Sequence, residues 1–255
     1  MTDTIVVVPD LHLPYEDRRL VRSFIRFIGE FNPSEVVMIG DVMDYPQPSR
    51  WSKDTAAEFQ GSVFEDSDVA RARLLEPLRA VYDGPVGVIE GNHDERPRVY
   101  LARYAPALAE SNAFNIDNLL RFRDFGVTWL PDFYDFHEGW TICHGHRGGI
   151  RLQTVAGATA LNAVRRFNKS VIMGHTHRLG SIGFTHGYNG DADVMWGVEV
   201  GHMLDMKLQT YLKGATMNWQ QGFAIIRIDQ GHVSTEIISV SANKFIVDGE
   251  TFVIR

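Results

Sequence analysis

Five stretches of the chain end an apolar run with side chains that bind metals or carry protons: Asp10-Leu11-His12, Asp41 with Asp44, Asn92-His93-Asp94, His144, and His175-Thr176-His177. Carboxylates, an amide oxygen and imidazoles, with no thiolate among them, form a donor set for Mn²⁺, Fe, Zn²⁺ or Ni²⁺ rather than for a cysteine-rich structural zinc. The His-x-His spacing lets both rings point the same way, because side chains beside a strand alternate with period two. So many donors exceed what one ion takes and suit two ions that share a bridging carboxylate. Two ions about 3.5–4 Å apart can clamp a phosphoryl group and ionise a water between them.

Such donors need strand ends to hold them. Residues 4–9 (TIVVVP), 35–39 (EVVMI), 85–89 (PVGVI) and 170–173 (SVIM) are short apolar runs, the pattern of strands buried on both faces. Residues 17–31 place Leu20, Val21, Phe24, Ile25, Phe27 and Ile28 on one helical face, which Asn32-Pro33 stops. Residues 66–82 predict a second helix kinked or divided by Pro77, and residues 150–167 an alanine-rich one. Strand, helix, strand, helix, strand in that order fits right-handed parallel crossovers. Ligands gather outside the carboxyl ends of such strands.

Beyond residue 125 the chain predicts mainly short strands, at 127–130, 133–137, 140–143, 181–184, 223–228, 233–240 and 252–254, with a Gly/Asn/Asp loop at 187–193. Residues 45–64 combine prolines and aromatics without a period, which predicts a long loop that is functional or partly ordered by its own short elements. Composition is that of a mildly acidic domain: Asp and Glu outnumber Lys and Arg by 32 to 25, for a formal charge of −7. That balance argues against a protein that coats nucleic acid through phosphates alone. A single cysteine, Cys143, excludes an internal disulfide. With no secretion signal and no long apolar segment, a soluble, cytoplasmic protein without membrane attachment is expected.

Asp10-x-His12, Gly40-Asp41-x-x-Asp44, Gly91-Asn92-His93-Asp94, His144 and Gly174-His175-Thr176-His177 together resemble the motifs of the calcineurin-like metallophosphoesterase superfamily, over about residues 5–180. The resemblance implies a single α/β domain over residues 1–255, a four-layer α-β-β-α sandwich of two packed mixed sheets flanked by helices. It implies that the strands of residues 181–255 complete the second sheet. It puts Asp10, His12 and His177 on one metal, Asn92, His144 and His175 on the other, and Asp41 between them. Two divalent ions are implied, Mn²⁺ first, with Fe, Zn²⁺ or Ni²⁺ as alternatives. His93 is implied as a cation or general acid beside the leaving group, with Asp44 orienting its ring. The implied reaction is in-line attack of a metal-activated hydroxide on the phosphorus of a phosphate ester.

Within that family a phosphodiesterase acting on a nucleotide-type substrate is the favoured expectation. A DNA or RNA nuclease, or a phosphomonoesterase that includes phosphoprotein phosphatases, would use the same site. A silent binding module of the same fold would lack ligands that this chain has. Tyr45 follows Asp44 where protein Ser/Thr phosphatases carry an arginine, which disfavours a phosphoprotein substrate. His146, Arg96 and Arg147 are candidate substrate contacts, with Arg98 and Arg151 as further arginines near the motifs. Tyr45, Trp51 and Phe59 are aromatics that can stack on a base or pack the loop onto the domain. Asp94 is expected to act through local hydrogen bonds and Cys143 as core filler. His202, among the methionines of residues 198–211, is expected to lie in the core.

Overall fold

The computed structural model describes residues 2–208 and 216–255, so residues 209–211 of the methionine-rich stretch lie outside the described part. In chain order the helices and strands are β1 (Asp3–Val8), α1 (Arg18–Phe31), β2 (Glu35–Met38), α2 (Val63–Ala70), α3 (Glu76–Arg79), β3 (Val86–Val88), α4 (Arg96–Tyr104), α5 (Ile116–Leu119), β4 (Val127–Trp129), β5 (Phe133–His137), β6 (Trp140–Cys143), α6 (Ala158–Phe167), β7 (Ser170–Met173), β8 (Leu179–Tyr188), β9 (Asp191–Val200), β10 (Gly222–Asp229), β11 (His232–Ser239), β12 (Lys244–Val247) and β13 (Glu250–Val253).

Two sheets carry the molecule. The first has the order β11-β10-β1-β2-β3-β4 and the second β5-β6-β7-β9-β8, while β12 and β13 form a separate hairpin. Strands β1 to β4 run parallel, as do β6, β7 and β9. Period-two alternation splits each strand between two cores. Ile5, Val7, Val37 and Ile39 meet Ile142, Ile172, Val198 and Val200 between the sheets. Val6, Val8, Val36 and Met38 face outward under Leu20, Phe24, Phe27 and Leu78 of α1 and α3. On the far side Cys143, Val171 and Met173 lie under Ala160, Ala163 and Val164 of α6. The order of layers is therefore helix, sheet, sheet, helix, as expected.

Local chemistry explains the element ends. Asp17 caps α1 by accepting from the backbone N–H of Arg19 and Leu20, both at 3.1 Å, and Asn32 ends it in the left-handed region at φ 48°. Three expectations need correction. The segment 66–82 begins earlier, at Val63; the division expected from Pro77 is present as a wide turn over Arg71–Leu75, in which Glu76 N–H reaches back to Arg71 O. A proline lacks the N–H that would hold the regular turn, so the strain is taken up before it. The loop at 187–193 shrinks to the tip of a long hairpin, where Asn189 and Gly190 take φ 56° and 83°, and β9 follows at once. Of the C-terminal strands, only β8 and β9 complete the second sheet; β10 and β11 join the first beside β1. Residues Gly222–Ile226 are buried without a break, which requires a central position in a covered sheet.

Candidate metal centre

The carboxyl ends of β1, β2, β3, β6 and β7 bring the motif residues to one place. Asp10, His12 and His177 form one group of converging ligand atoms; Asp41, His144 and His175 form a second. In the first, His12 Nε2 lies 3.1 Å from His177 Nε2, and His177 Nε2 lies 3.1 Å from Asp10 Oδ2. Asp10 Oδ2 is nonetheless a buried atom without a properly aligned hydrogen bond. A buried carboxylate oxygen left without a donor, facing two ring nitrogens, is what a cation site needs. In the second group His144 Nε2 is 3.3 Å from Asp41 Oδ2 and 3.2 Å from Asn92 Oδ1. Asp41 Oδ2 also lies 3.6 Å from His12 Nε2, so this one oxygen faces both groups. The donor set fits two divalent ions, and Cys143, buried against α6, contributes no thiolate.

Backbone strain concentrates at the same residues. His12, Asp41, His175 and His177 all have positive φ, at 50°, 48°, 67° and 58°. Side chains rarely adopt this region, and its cost persists only where the surroundings impose it. Two motif glycines are explained by crowding. A Cβ on Gly91 would collide with the Asp41 amide nitrogen and carboxylate, and one on Gly174 would come within 2.5 Å of Asp10 Oδ1.

A second ring of contacts orients the rings. His144 Nδ1 donates to Ile39 O at 2.9 Å, which leaves Nε2 to face the centre. Asp44 Oδ1 is shared: His12 Nδ1 and His93 Nδ1 each lie 2.9 Å from it. Thus Asp44 orients not only His93 but also His12. Asp94 is buried and accepts from Met43 N–H and Gly91 N–H, both at 2.8 Å, tying the two loops together. Burial and the Asp41 charge push its carboxyl up to about 8.

Charge is distributed unevenly among the imidazoles. Burial alone would lower every one. His144 is instead raised to about 9, because Asp41 holds its imidazolium form, and His12 is raised by the Asp44 hydrogen bond. Burial keeps His93 and His177 low, and burial with the His144 charge lowers His175 to about 4 and His146 to about 3. Asp41 is buried yet held well below the usual carboxylate range by His144 and His93.

Not every candidate joins the centre. His146 is at its rim, 5.1 Å between ring centroids from His144, with Nε2 accepting from Arg147. Arg147 is engaged by Glu95 at 2.7 Å and Asp132 at 3.3 Å, and Arg98 by Glu90, so neither points to the ligands. Arg151 is exposed and lends its carbonyl to Asn162. Tyr45 is fully buried and hydrogen-bonded to Ser67 at 2.8 Å, which removes it as a stacking surface. Arg96 does reach the site, donating to Asp44 O at 2.6 Å and His93 Nε2 at 2.9 Å.

One participant was missed in the sequence. Glu199, fully buried on β9, accepts from Thr159 N–H and Ala160 N–H at the start of α6 and from the Thr176 hydroxyl, 2.8 Å away, between the two histidines. Its signal was an acid inside the apolar run VEV. His202 is buried behind His177, their centroids 5.5 Å apart, and Trp219 packs edge-on to His177 at 4.3 Å.

The chain is 51% identical over 253 residues to the proteins called Gene 54 protein of Mycobacterium phages D29 and L5, covering 99% of each. Among solved structures it is similar to Vacuolar Protein Sorting 29 of Cryptosporidium parvum, at TM-score 0.46 and 18% identity over 98% of this chain and 94% of that one. It is also similar to the E. coli phosphoesterase Yfce, at TM-score 0.43 and 13% identity over the whole of both chains. The calcineurin-like phosphoesterase family model matches residues 4–179. With that match over most of its length and a buried His/Asp centre built for metal, the chain belongs to the calcineurin-like phosphoesterase family and is a metal-dependent phosphoesterase.

Proposed function

We propose that the chain is a two-metal phosphodiesterase acting on nucleotide-type diesters, with Mn²⁺ as its preferred ion. In this reading Asp10, His12 and His177 would hold one ion and Asn92, His144 and His175 the other, with Asp41, whose Oδ2 faces both groups, shared between them. When bound, the ions offset charge on the phosphoryl oxygens and lower the pKa of a water.

The observation that carries the preference for a diester over a phosphoprotein is the buried Tyr45 that follows Asp44, while the His93–Asp44–Arg96 group at the edge of the site supports departure of an alkoxide. Asp44 Oδ1 fixes the His93 ring through Nδ1, and Nε2 lies 4.0 Å from Asp41 Oδ2. An alkyl phosphate ester, diester or monoester, expels an alkoxide, which needs a proton, and a protonated imidazole can deliver one. His93 Nε2 accepts from Arg96 in the free protein. Proton donation therefore requires Arg96 to release Nε2 and Nε2 to take up a proton from solvent, because the neutral ring keeps its one proton on Nδ1 toward Asp44. The position after Asp44 supplies no cation, since Tyr45 is buried there, which favours a diester over a phosphoprotein.

The test compares bis-(p-nitrophenyl) phosphate with p-nitrophenyl phosphate on chelator-treated protein resupplied with Mn²⁺. Restored cleavage of the diester with little on the monoester is expected; the reverse preference would make the enzyme a monoesterase. His93→Ala should retain its ions and lose turnover by roughly 10²–10⁴-fold, more for alkyl than for nitrophenyl leaving groups. Unchanged turnover would remove His93 from its role.

A further inference from the structure

A cleft of about 510 Å³ opens from Asn92 and His93 and leads away from the metal ligands. One wall is α4, where Arg96, Val99, Tyr100, Arg103 and Tyr104 recur at the spacing of a single helical face. These positions extend about 12 Å along the helix axis. The facing wall is the loop after Tyr45, through Arg50, Trp51 and Lys53.

Both walls carry an aromatic ring with a cation against it. Arg50 Cζ lies 4.7 Å from the Trp51 ring centre, and Arg103 Cζ lies 5.4 Å from that of Tyr104. Lys53 Nζ is 4.8 Å from the same Tyr104 ring. Among the described residues neither Arg50 nor Arg103 pairs with a carboxylate. Glu95, the acid in the lining, is already held by Arg147 at 2.7 Å. On a chain of net charge −7 this is a local excess of positive charge. Trp51 is 76% exposed, a large ring left in water beside the catalytic edge.

The walls are pinned to each other. Glu58 Oε1 accepts from Lys53 Nζ at 2.8 Å and from the Tyr100 hydroxyl at 2.5 Å, and Oε2 accepts from Asp54 N–H at 2.7 Å. Loop and helix therefore present a preformed slot. Aromatic faces for bases beside cations for phosphates are the requirements of single-stranded nucleic acid. The bases of a duplex are stacked inside it and offer no face to Trp51.

We propose that this cleft binds the leaving-group side of a single-stranded oligonucleotide, its base against Trp51 and Tyr104 and its next phosphate between Arg50 and Arg103. The proposal rests on the phosphodiesterase reading and names the class of diester. It places Arg96, at the inner end of the cleft, next to the leaving oxygen.

The probe is a fluorescein-labelled, phosphorothioate-linked oligothymidylate of about six nucleotides, followed by fluorescence anisotropy on Mn²⁺-loaded protein. Trp51→Ala is expected to weaken binding about tenfold, with thermal unfolding as the control for folding. The double variant Arg50→Ala/Arg103→Ala should reduce the slope of log affinity against log salt by about 0.7, the value for one phosphate contact on a single strand. Equal competition by a duplex of the same sequence, no measurable binding, or affinity indifferent to Trp51 would each overturn the cleft assignment. Failure of the wild-type protein to cleave bis-(p-nitrophenyl) phosphate with Mn²⁺ would instead refute the diesterase reading, so the two failures are told apart.

Discussion

Asp44 is the residue on which both halves of the site depend. Its Oδ1 holds Nδ1 of His12, a ligand in our proposal, and Nδ1 of His93, the proposed proton donor. Partners of metal-bound imidazoles typically control affinity or activity by 10–100-fold. Asp44→Ala should therefore lower Mn²⁺ affinity roughly tenfold and diester turnover by more than His12 misplacement alone explains. Calorimetric titration together with kcat would check this, and an unchanged affinity would confine Asp44 to His93. A second prediction concerns His144, whose imidazolium is favoured by Asp41 up to about pH 9 in the metal-free chain. That proton adds stability to the metal-free chain below the unfolded pKa of about 6.5 and is lost as pH rises through about 9. An ion needs the neutral ring, so binding at about pH 7.5 should release at least one proton, and affinity should rise with pH toward 9. Titrations in buffers of different ionisation enthalpy measure the proton count; a count of zero would contradict the assignment.

At the scale of elements, the strand-end motifs were legible because each follows an apolar run that breaks abruptly at Asp, Asn or His. Partnerships between distant segments were not. His12 and Asp44 stand 32 positions apart, and nothing local in either segment announces a shared oxygen. Glu199 was hidden for the same reason: its partners Thr159, Ala160 and Thr176 stand 40, 39 and 23 positions away, and the run VMWGVEV around it announces none of them. Yet Glu199 anchors the α6 amino terminus and Thr176 at once. Glu199→Ala would leave three donors, two backbone N–H groups and a hydroxyl, without their acceptor. At about 1–3 kcal/mol for each unsatisfied buried group, a loss of at least about 3 kcal/mol is expected in urea unfolding. A loss below about 1 kcal/mol would show that water or another acceptor replaces it.

At the scale of the molecule, the four layers follow from period-two burial in strands covered on both faces, and that much could be read from the apolar runs. Which sheet receives the late strands could not, because a continuous apolar strand such as β10 satisfies the centre of either sheet. Pairing with β1 decides it, through register contacts from Asp3 to Val7. No helix of the described residues is long and apolar enough to cross a membrane. Both sheets deliver the proposed ligands to a common edge: Asp10, His12, Asp41 and Asn92 from the first, His144, His175 and His177 from the second. The centre therefore straddles the sheet-to-sheet interface, and bound ions should couple the two halves and raise the unfolding temperature.

The most direct measurement is the number and coupling of ions in the folded chain. Protein loaded with Mn²⁺, freed of excess metal, and analysed by elemental mass spectrometry and electron paramagnetic resonance should hold about two ions per chain. Their spectrum should be spin-coupled through the shared Asp41 carboxylate and should lose that coupling in Asp41→Ala. A single tightly bound ion in the wild type, or two ions whose spectra are independent and indifferent to Asp41, would contradict a dinuclear centre built on these residues.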